Sequence, residues 1–253
     1  MESTRRIKIS PATRAQRKLA SAGHSLHDYQ LDGVKWLISR EDRKNKITGG
    51  LLCDEMGLGK TIQFIALLLA KGVGKTLLFL PASLMSQWRQ QIDKFAPEIK
   101  VFNYHGGQRS LKHMPKSCVV MTTYQLVHND RSVLSEKSWD RVILDECHTI
   151  RNKKGKITRA CYSLRAKSKW GITGTPIQNY VSDVISVLAY VGLTEPEIKS
   201  DLAGAIEKYT LRRTKAEVKL ADAIPERKVE CVTLPFSSKK ENQFYSKIRE
   251  SEQ

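Results

Sequence analysis

The sequence predicts an α/β fold, a mainly parallel β-sheet with helices on both faces. Short apolar runs alternate along the chain with stretches of helical spacing, the pattern of strands crossing over through helices. One run, Gly50 to Cys53, opens into Asp54-Glu55-Met56-Gly57-Leu58-Gly59-Lys60-Thr61. Another, Arg141 to Leu144, ends in Asp145-Glu146-Cys147-His148. Each delivers polar residues at the carboxyl end of a buried strand, where open α/β sheets bind their ligands.

The elements follow in order. Residues 1–24, rich in Ser, Ala, Arg and Lys with little periodicity, read as a flexible basic arm. A globular pattern begins near Leu26, with Leu31, Val34, Leu37 and Ile38 at helical spacing. After the first strand, a helix is expected from Ile62 to about Lys71, a strand over Thr76–Leu80 and a helix near Leu84–Phe95. Strands over Lys100–Tyr104 and Cys118–Met121 come next, then a helix near Gln125–Leu134. Beyond the acidic strand lie a helix near Thr158–Leu164, a strand Trp170–Thr173 and a helix Val181–Val191. Residues 198–219 look helical and charged, and Val229–Leu234 alternates like an extended segment. The domain reading is therefore an arm over 1–24, one lobe over 25–235 with a helical extension after about 192, and a connecting segment over 236–253.

The chemistry of the two polar motifs is complementary. Backbone N–H groups from Met56 to Thr61 can converge on a polyphosphate only if Gly57 and Gly59 permit a tight turn, and the following helix adds its positive N-terminal dipole. Lys60 would reach the β- and γ-phosphates of ATP, and the Thr61 hydroxyl would coordinate Mg²⁺. Asp54 stands where the general phosphate-loop pattern has glycine, so a glycine-rich turn before a core helix is the plain alternative. Of the two acids, Asp145 suits Mg²⁺ and Glu146 suits activation of the attacking water, with Lys60 completing the catalytic set.

Composition narrows the field. The 40% hydrophobic and 27% charged content fits a folded domain rather than a disordered chain. The longest apolar helix candidate, Ile62 to Ala70, is about half of what a membrane span needs, so no membrane partner is expected. The N-terminus lacks a signal-peptide core, and five widely spaced cysteines without a Cys-x-x-Cys pair fit reduced thiols and an intracellular site. A formal net charge of +17 implies a polyanionic partner. Residues 151–169 carry eight Arg or Lys and no acid, which makes this block, with Lys153, Lys154 and Lys156, a candidate contact surface as well as a candidate solvated face.

These motifs, in this order, resemble the first motor lobe of a Swi/Snf-type ATPase among the superfamily 2 helicase-related motors, over nearly all of residues 25–245. The resemblance implies a RecA-like, P-loop NTPase lobe, in which the family's own loop also begins with Asp. Leu26-His27-Asp28-Tyr29-Gln30 resembles the adenine-reading segment, which implies base recognition by Gln30. Pro81-Ala82-Ser83-Leu84 with Gln87-Trp88, Tyr104-His105-Gly106 and Thr122-Thr123-Tyr124 resemble loops that grip a nucleic-acid backbone. That assigns Ser83, His105, Gly106, Thr122 and Thr123 to DNA contact. The resemblance gives His148, Thr173 and Thr175 a coupling role between nucleotide and motion, the threonines within Gly171-Ile172-Thr173-Gly174-Thr175-Pro176-Ile177-Gln178-Asn179. Leu211-Arg212-Arg213-Thr214-Lys215, Ile224-Pro225-Glu226-Arg227-Lys228 and Gln243-Phe244-Tyr245 resemble the passage to a second lobe, whose arginine would complete the hydrolytic site. The implied function is ATP-driven movement on duplex DNA, in the nucleus or another site of DNA metabolism. The short connector from Gly192 to Asp201 favours a compact relative, a viral source among the options. A module that binds ATP and DNA without appreciable turnover is the alternative.

Overall fold

Alternate side chains of the strands supply two separate cores, which is why the strands read as continuous apolar runs. In the computed structural model, which describes residues 9–107, 109–174, 181–218, 230, 232 and 235–251, seven parallel strands line up in the order β3-β4-β2-β5-β6-β1-β7. They are β1 (Gly49–Leu52), β2 (Lys75–Leu80), β3 (Val101–Asn103), β4 (Cys118–Thr123), β5 (Ser138–Asp145), β6 (Arg165–Ile172) and β7 (Thr210–Leu211). Leu78, Leu80, Val119, Met121 and Ile143 face helices α1 (Pro11–Ser21), α2 (Asp28–Arg40), α3 (Lys60–Lys71) and α4 (Met85–Phe95). Leu77, Phe79, Val120, Val142 and Leu144 face the other layer, α5 (Tyr124–Asn129), α7 (Lys156–Ser163), α8 (Val181–Val191), α9 (Glu195–Ser200) and α10 (Leu202–Tyr209). α6 (Arg131–Ser135) adds Leu134 to this second core. The contacts divide the chain into two units, 1–218 and 219–253. The second contains helix α11 (Lys239–Ser251), with Phe244, Tyr245 and Ile248 exposed and Phe236 against the Tyr245 ring at 5.6 Å.

Four sequence expectations need correction. Residues 11–21 are not an arm: Ser10 caps α1 by accepting from the Thr13 N–H at 3.1 Å, Pro11 begins it, and Ala15 and Leu19 are wholly buried. The helix near Gln125–Leu134 is broken at Asp130, whose carboxylate is claimed by Tyr104 at 2.9 Å and by Arg109. The charged helix over 198–219 is instead two short helices joined at Asp201, which caps α10 through the Gly204 N–H at 2.9 Å, followed by edge strand β7. The lobe's boundary falls at 218/219 rather than 235/236. The Val229–Leu234 segment lies, apart from residues 230 and 232, outside the described residues, as does Ile224–Lys228.

A buried ion pair closes the amino-terminal end of the sheet. Arg141 meets Glu41 through Nε at 2.6 Å and Nη2 at 2.7 Å, and the Trp170 indole donates to the same carboxylate at 3.0 Å. With Glu41 at 9% and Arg141 at 6% exposure, neither charge has water to fall back on. Among the described residues no helix is long and apolar enough to cross a membrane, and the four described cysteines are free and buried.

Candidate nucleotide site

The loop Asp54–Gly59 leaves β1 and turns directly into α3. Its turn depends on glycine at two points: Gly57 has φ 92° and Gly59 φ 75°, the left-handed region that side chains resist. At Gly59 a Cβ would also lie 2.4 Å from the Gln30 amide nitrogen. Leu58 is wholly buried and anchors the turn, whereas Met56 stands 65% exposed at its rim. Lys60 begins α3 and folds over the loop, donating to the Asp54 carbonyl at 2.7 Å and the Glu55 carbonyl at 3.3 Å. Burial lowers its pKa, against the opposing pull of Asp54, Glu146 and Asp145. Thr61 follows it, half-buried in the first turn.

The two acids stand at the end of β5, separated from β1 by one strand, β6. Asp145 is buried; its Oδ1 accepts from the Glu146 N–H at 2.9 Å and its Oδ2 from the Trp88 indole at 2.7 Å. Desolvation raises its pKa, and the Trp88 bond works against that rise. Glu146 has φ 50°, a left-handed conformation unusual for a residue with a side chain, and it swings the carboxylate out of the strand line. His148, in the 3₁₀ turn Cys147–Ile150, brings Nδ1 to 3.2 Å from Glu146 Oε2 without hydrogen-bond alignment.

The end of β6 fills the gap between loop and acids. Thr173 is buried and its N–H donates to Leu52 at 3.2 Å. A Cβ on Gly174 would lie 2.7 Å from Met56 Cγ and 3.6 Å from Lys60 Nζ, so this backbone rests against the loop itself. Thr175 lies outside the described residues, as does the rest of its motif through Asn179. Gln30 sits at the start of α2, where Oε1 accepts from the His27 N–H at 3.0 Å and Nε2 donates to the Leu58 carbonyl at 3.2 Å. Nε2 also donates to the Tyr29 hydroxyl at 3.3 Å, so both amide hydrogens are engaged and Oε1 keeps one lone pair for a base.

The nucleic-acid candidates divide. Ser83, His105 and Gly106 are exposed at the carboxyl ends of the strands. Thr122 and Thr123 are not surface groups: at 0% and 2% exposure they are the last residues of an interior strand, flanked by β2 and β3, and cannot meet a phosphate in this arrangement. Lys153 is already paired with Glu195, whose carboxyl it and Lys199 hold down at about 2. Lys154 and Lys156 are exposed.

Two residues of the site entered the sequence reading only in other roles, Trp88 beside a nucleic-acid loop and Arg213 in the passage to a second lobe. Trp88 is the lone indole of α4, buried there with Ile92, and a buried indole N–H demands an acceptor, but nothing local names Asp145. Arg213 meets the buried Asp54 carboxylate with Nε at 3.0 Å and Nη2 at 2.5 Å. Asp54 in place of glycine was the signal, since a carboxylate wholly out of water calls for a cation. Among the described residues no group of His, Cys, Asp and Glu is arranged to hold a metal ion by itself.

Comparison with known proteins agrees with this geometry. The family described as SNF2-related domain matches residues 29–195. Chromodomain-helicase-DNA-binding protein 1-like of Danio rerio is 33% identical over 88% of this chain and 24% of its own length. ATP-dependent DNA helicase DDM1 of Arabidopsis thaliana is 38% identical over 67% of the chain and 24% of its own length. The Sulfolobus solfataricus SWI2/SNF2 ATPase core in complex with dsDNA superposes with a TM-score of 0.70 at 31% identity, over 80% of this chain and 47% of that one. The chain thus spans about a quarter of the length of these curated relatives.

Proposed function

Because the chain belongs to the family of SNF2-related domains, we propose that it is the ATP-binding motor lobe of a DNA-dependent ATPase, which couples ATP hydrolysis to movement along duplex DNA. The observation that carries this reading is the convergence of Lys60, Gly174 and the Asp145–Glu146 pair at one end of the sheet. The residues fit their ligands. The two left-handed glycines leave the loop backbone bare, and the α3 N-terminus and Lys60 lie behind it. Thr61 and Asp145 would hold Mg²⁺, whose chemistry there is to neutralise charge on phosphate oxygens.

Each protein group then has one task. Lys60 exchanges the loop carbonyls for phosphate oxygens, Glu146 orients and activates the attacking water, and His148 beside it senses its position. Thr173, pinned between β1 and the acids, relays that position, with Thr175 as its partner. Ser83, His105, Gly106, Lys154 and Lys156 contact the DNA backbone without reading bases. A second RecA-like lobe supplies the arginine that stabilises charge on the γ-phosphate. The place of action is wherever duplex DNA is handled, the nucleus in a eukaryotic host.

The test is a calorimetric titration of Mg-ATP. Wild type should bind saturably, and Lys60→Ala should lose most of the affinity. Gln30→Ala should retain phosphate binding while discriminating less between ATP and GTP. Equal ATP affinity in wild type and Lys60→Ala would sink the assignment.

A further inference from the structure

A carboxylate in the phosphate loop is a liability, because it repels the polyphosphate the loop is built to hold. Asp54 is wholly buried there, and Arg213 neutralises it from a position 159 residues later. The guanidinium does more than balance charge. Nε and Nη2 take the two carboxylate oxygens, at 3.0 and 2.5 Å, and Nη2 also donates to Gln63 Oε1 at 2.9 Å on α3. Gln63 closes the ring by donating Nε2 to Asp54 Oδ2 at 3.0 Å. Nη1 donates to the Tyr29 carbonyl in α2, and the guanidinium lies 5.5 Å from the Tyr29 ring centroid. The residue after Tyr29 is Gln30, which holds the Leu58 carbonyl of the loop at 3.2 Å.

The surroundings are shaped around this contact. Gly33 on α2 has no room for a side chain: a Cβ there would lie 1.9 Å from Gln63 Oε1 and 2.7 Å from Arg213 Nη2. Backbone rungs fix the segment carrying the arginine, from Cys53 N–H to the Leu211 carbonyl at 2.7 Å and from Glu55 N–H to the Arg213 carbonyl at 2.9 Å. Two residues on, the Lys215 N–H donates to Glu55 Oε2 at 2.7 Å. The β7–β1 pairing therefore runs past the strands and along the entrance of the loop.

We propose that Arg213 is a positioning residue of the nucleotide site: it ties the segment Asp28–Gln30 to the phosphate loop and so sets the spacing between the base and phosphate subsites. This rests on the nucleotide-binding reading above. It separates Arg213 from an arginine that only stabilises the fold, because spacing governs base selection whereas stability alone does not.

The experiment measures ADP and GDP affinities and melting temperature for wild type, Arg213→Lys and Arg213→Ala in the full 253-residue chain. Lysine keeps the charge but cannot hold both carboxylate oxygens and the Tyr29 carbonyl at once. Arg213→Lys should therefore stay folded, lose about tenfold in ADP affinity, the size of one charge-assisted hydrogen bond, and lose most of its preference for ADP over GDP. If Arg213→Ala does not fold, Arg213→Lys decides. A folded Arg213→Lys with unchanged ADP affinity, or with equal losses for ADP and GDP, overturns the proposal while leaving nucleotide binding intact. A wild-type chain that binds neither nucleotide overturns both.

Discussion

Single residues in this lobe do one of two jobs, and the ends of strand β5 separate them. At its carboxyl end Glu146 accepts a left-handed backbone, a cost met where a side chain must be aimed rather than packed. Nearer its start, Arg141 locks onto Glu41 and serves only the fold. Glu41→Ala should consequently destabilise the protein by about 3–5 kcal/mol, because it strands a buried guanidinium, while nucleotide affinity measured well below the melting temperature stays at the wild-type level. Urea denaturation and a calorimetric titration on the same sample check both halves; a lowered affinity would show that the two ends of the strand are coupled. The same contrast explains what the sequence disclosed. Gly57, Gly59 and Lys60 are legible because their chemistry is local, fixed by a turn and a helix start. Trp88 and Arg213 act on Asp145 and Asp54 from 57 and 159 residues away, and no spacing rule reaches so far.

At the scale of elements, the errors of reading arose where a tertiary partner overrode a local pattern. Helix α1 hides among basic residues because only Ala15 and Leu19 are wholly buried, too few to raise a periodic signal. Strand β7 is two residues long and exists because the edge of β1 was open to it. The break at Asp130 comes from the loop that carries His105 and Gly106: Arg109 and Tyr104 draw the carboxylate away from the helix. Those hydrogen bonds, Arg109 foremost, hold the Asp130 pKa below its ordinary value although burial pushes it up. A carboxyl depressed in the folded state contributes stability above its unfolded value, about 3.9, and loses it as pH falls through the lower folded value. The difference in melting temperature between wild type and Asp130→Asn should therefore be constant near neutrality and shrink below about pH 4. A difference that persists at lower pH would mean that Asp130 acts through shape rather than charge.

The whole molecule carries a formal +17, and its structure shows that not every cation is free to use that charge. Lys153 already answers to Glu195, while Lys154 and Lys156 stand exposed beside it. Duplex DNA binding should weaken linearly in log affinity with log salt. Lys154→Ala and Lys156→Ala should each reduce the slope by about 0.9 if each lysine meets one phosphate, and Lys153→Ala by less. Fluorescence anisotropy at several salt concentrations distinguishes the three; equal effects would mean that DNA pulls Lys153 away from its acid.

The strand order has a consequence for how such a chain comes into being. β1, which bears the phosphate loop, finds its neighbours only in β6, where Gly49 registers with Lys169, and in β7, where Leu51 registers with Thr210. A ribosome therefore releases the loop long before it releases the strands that flank it. β2, β3, β4 and β5 can pair among themselves meanwhile, although β5 still waits for β6 on its other edge. Loop closure over such distances is slow, so the pairing that brings the phosphate loop beside the acids of β5 waits for β6 and β7, and the site joins two halves made at different times.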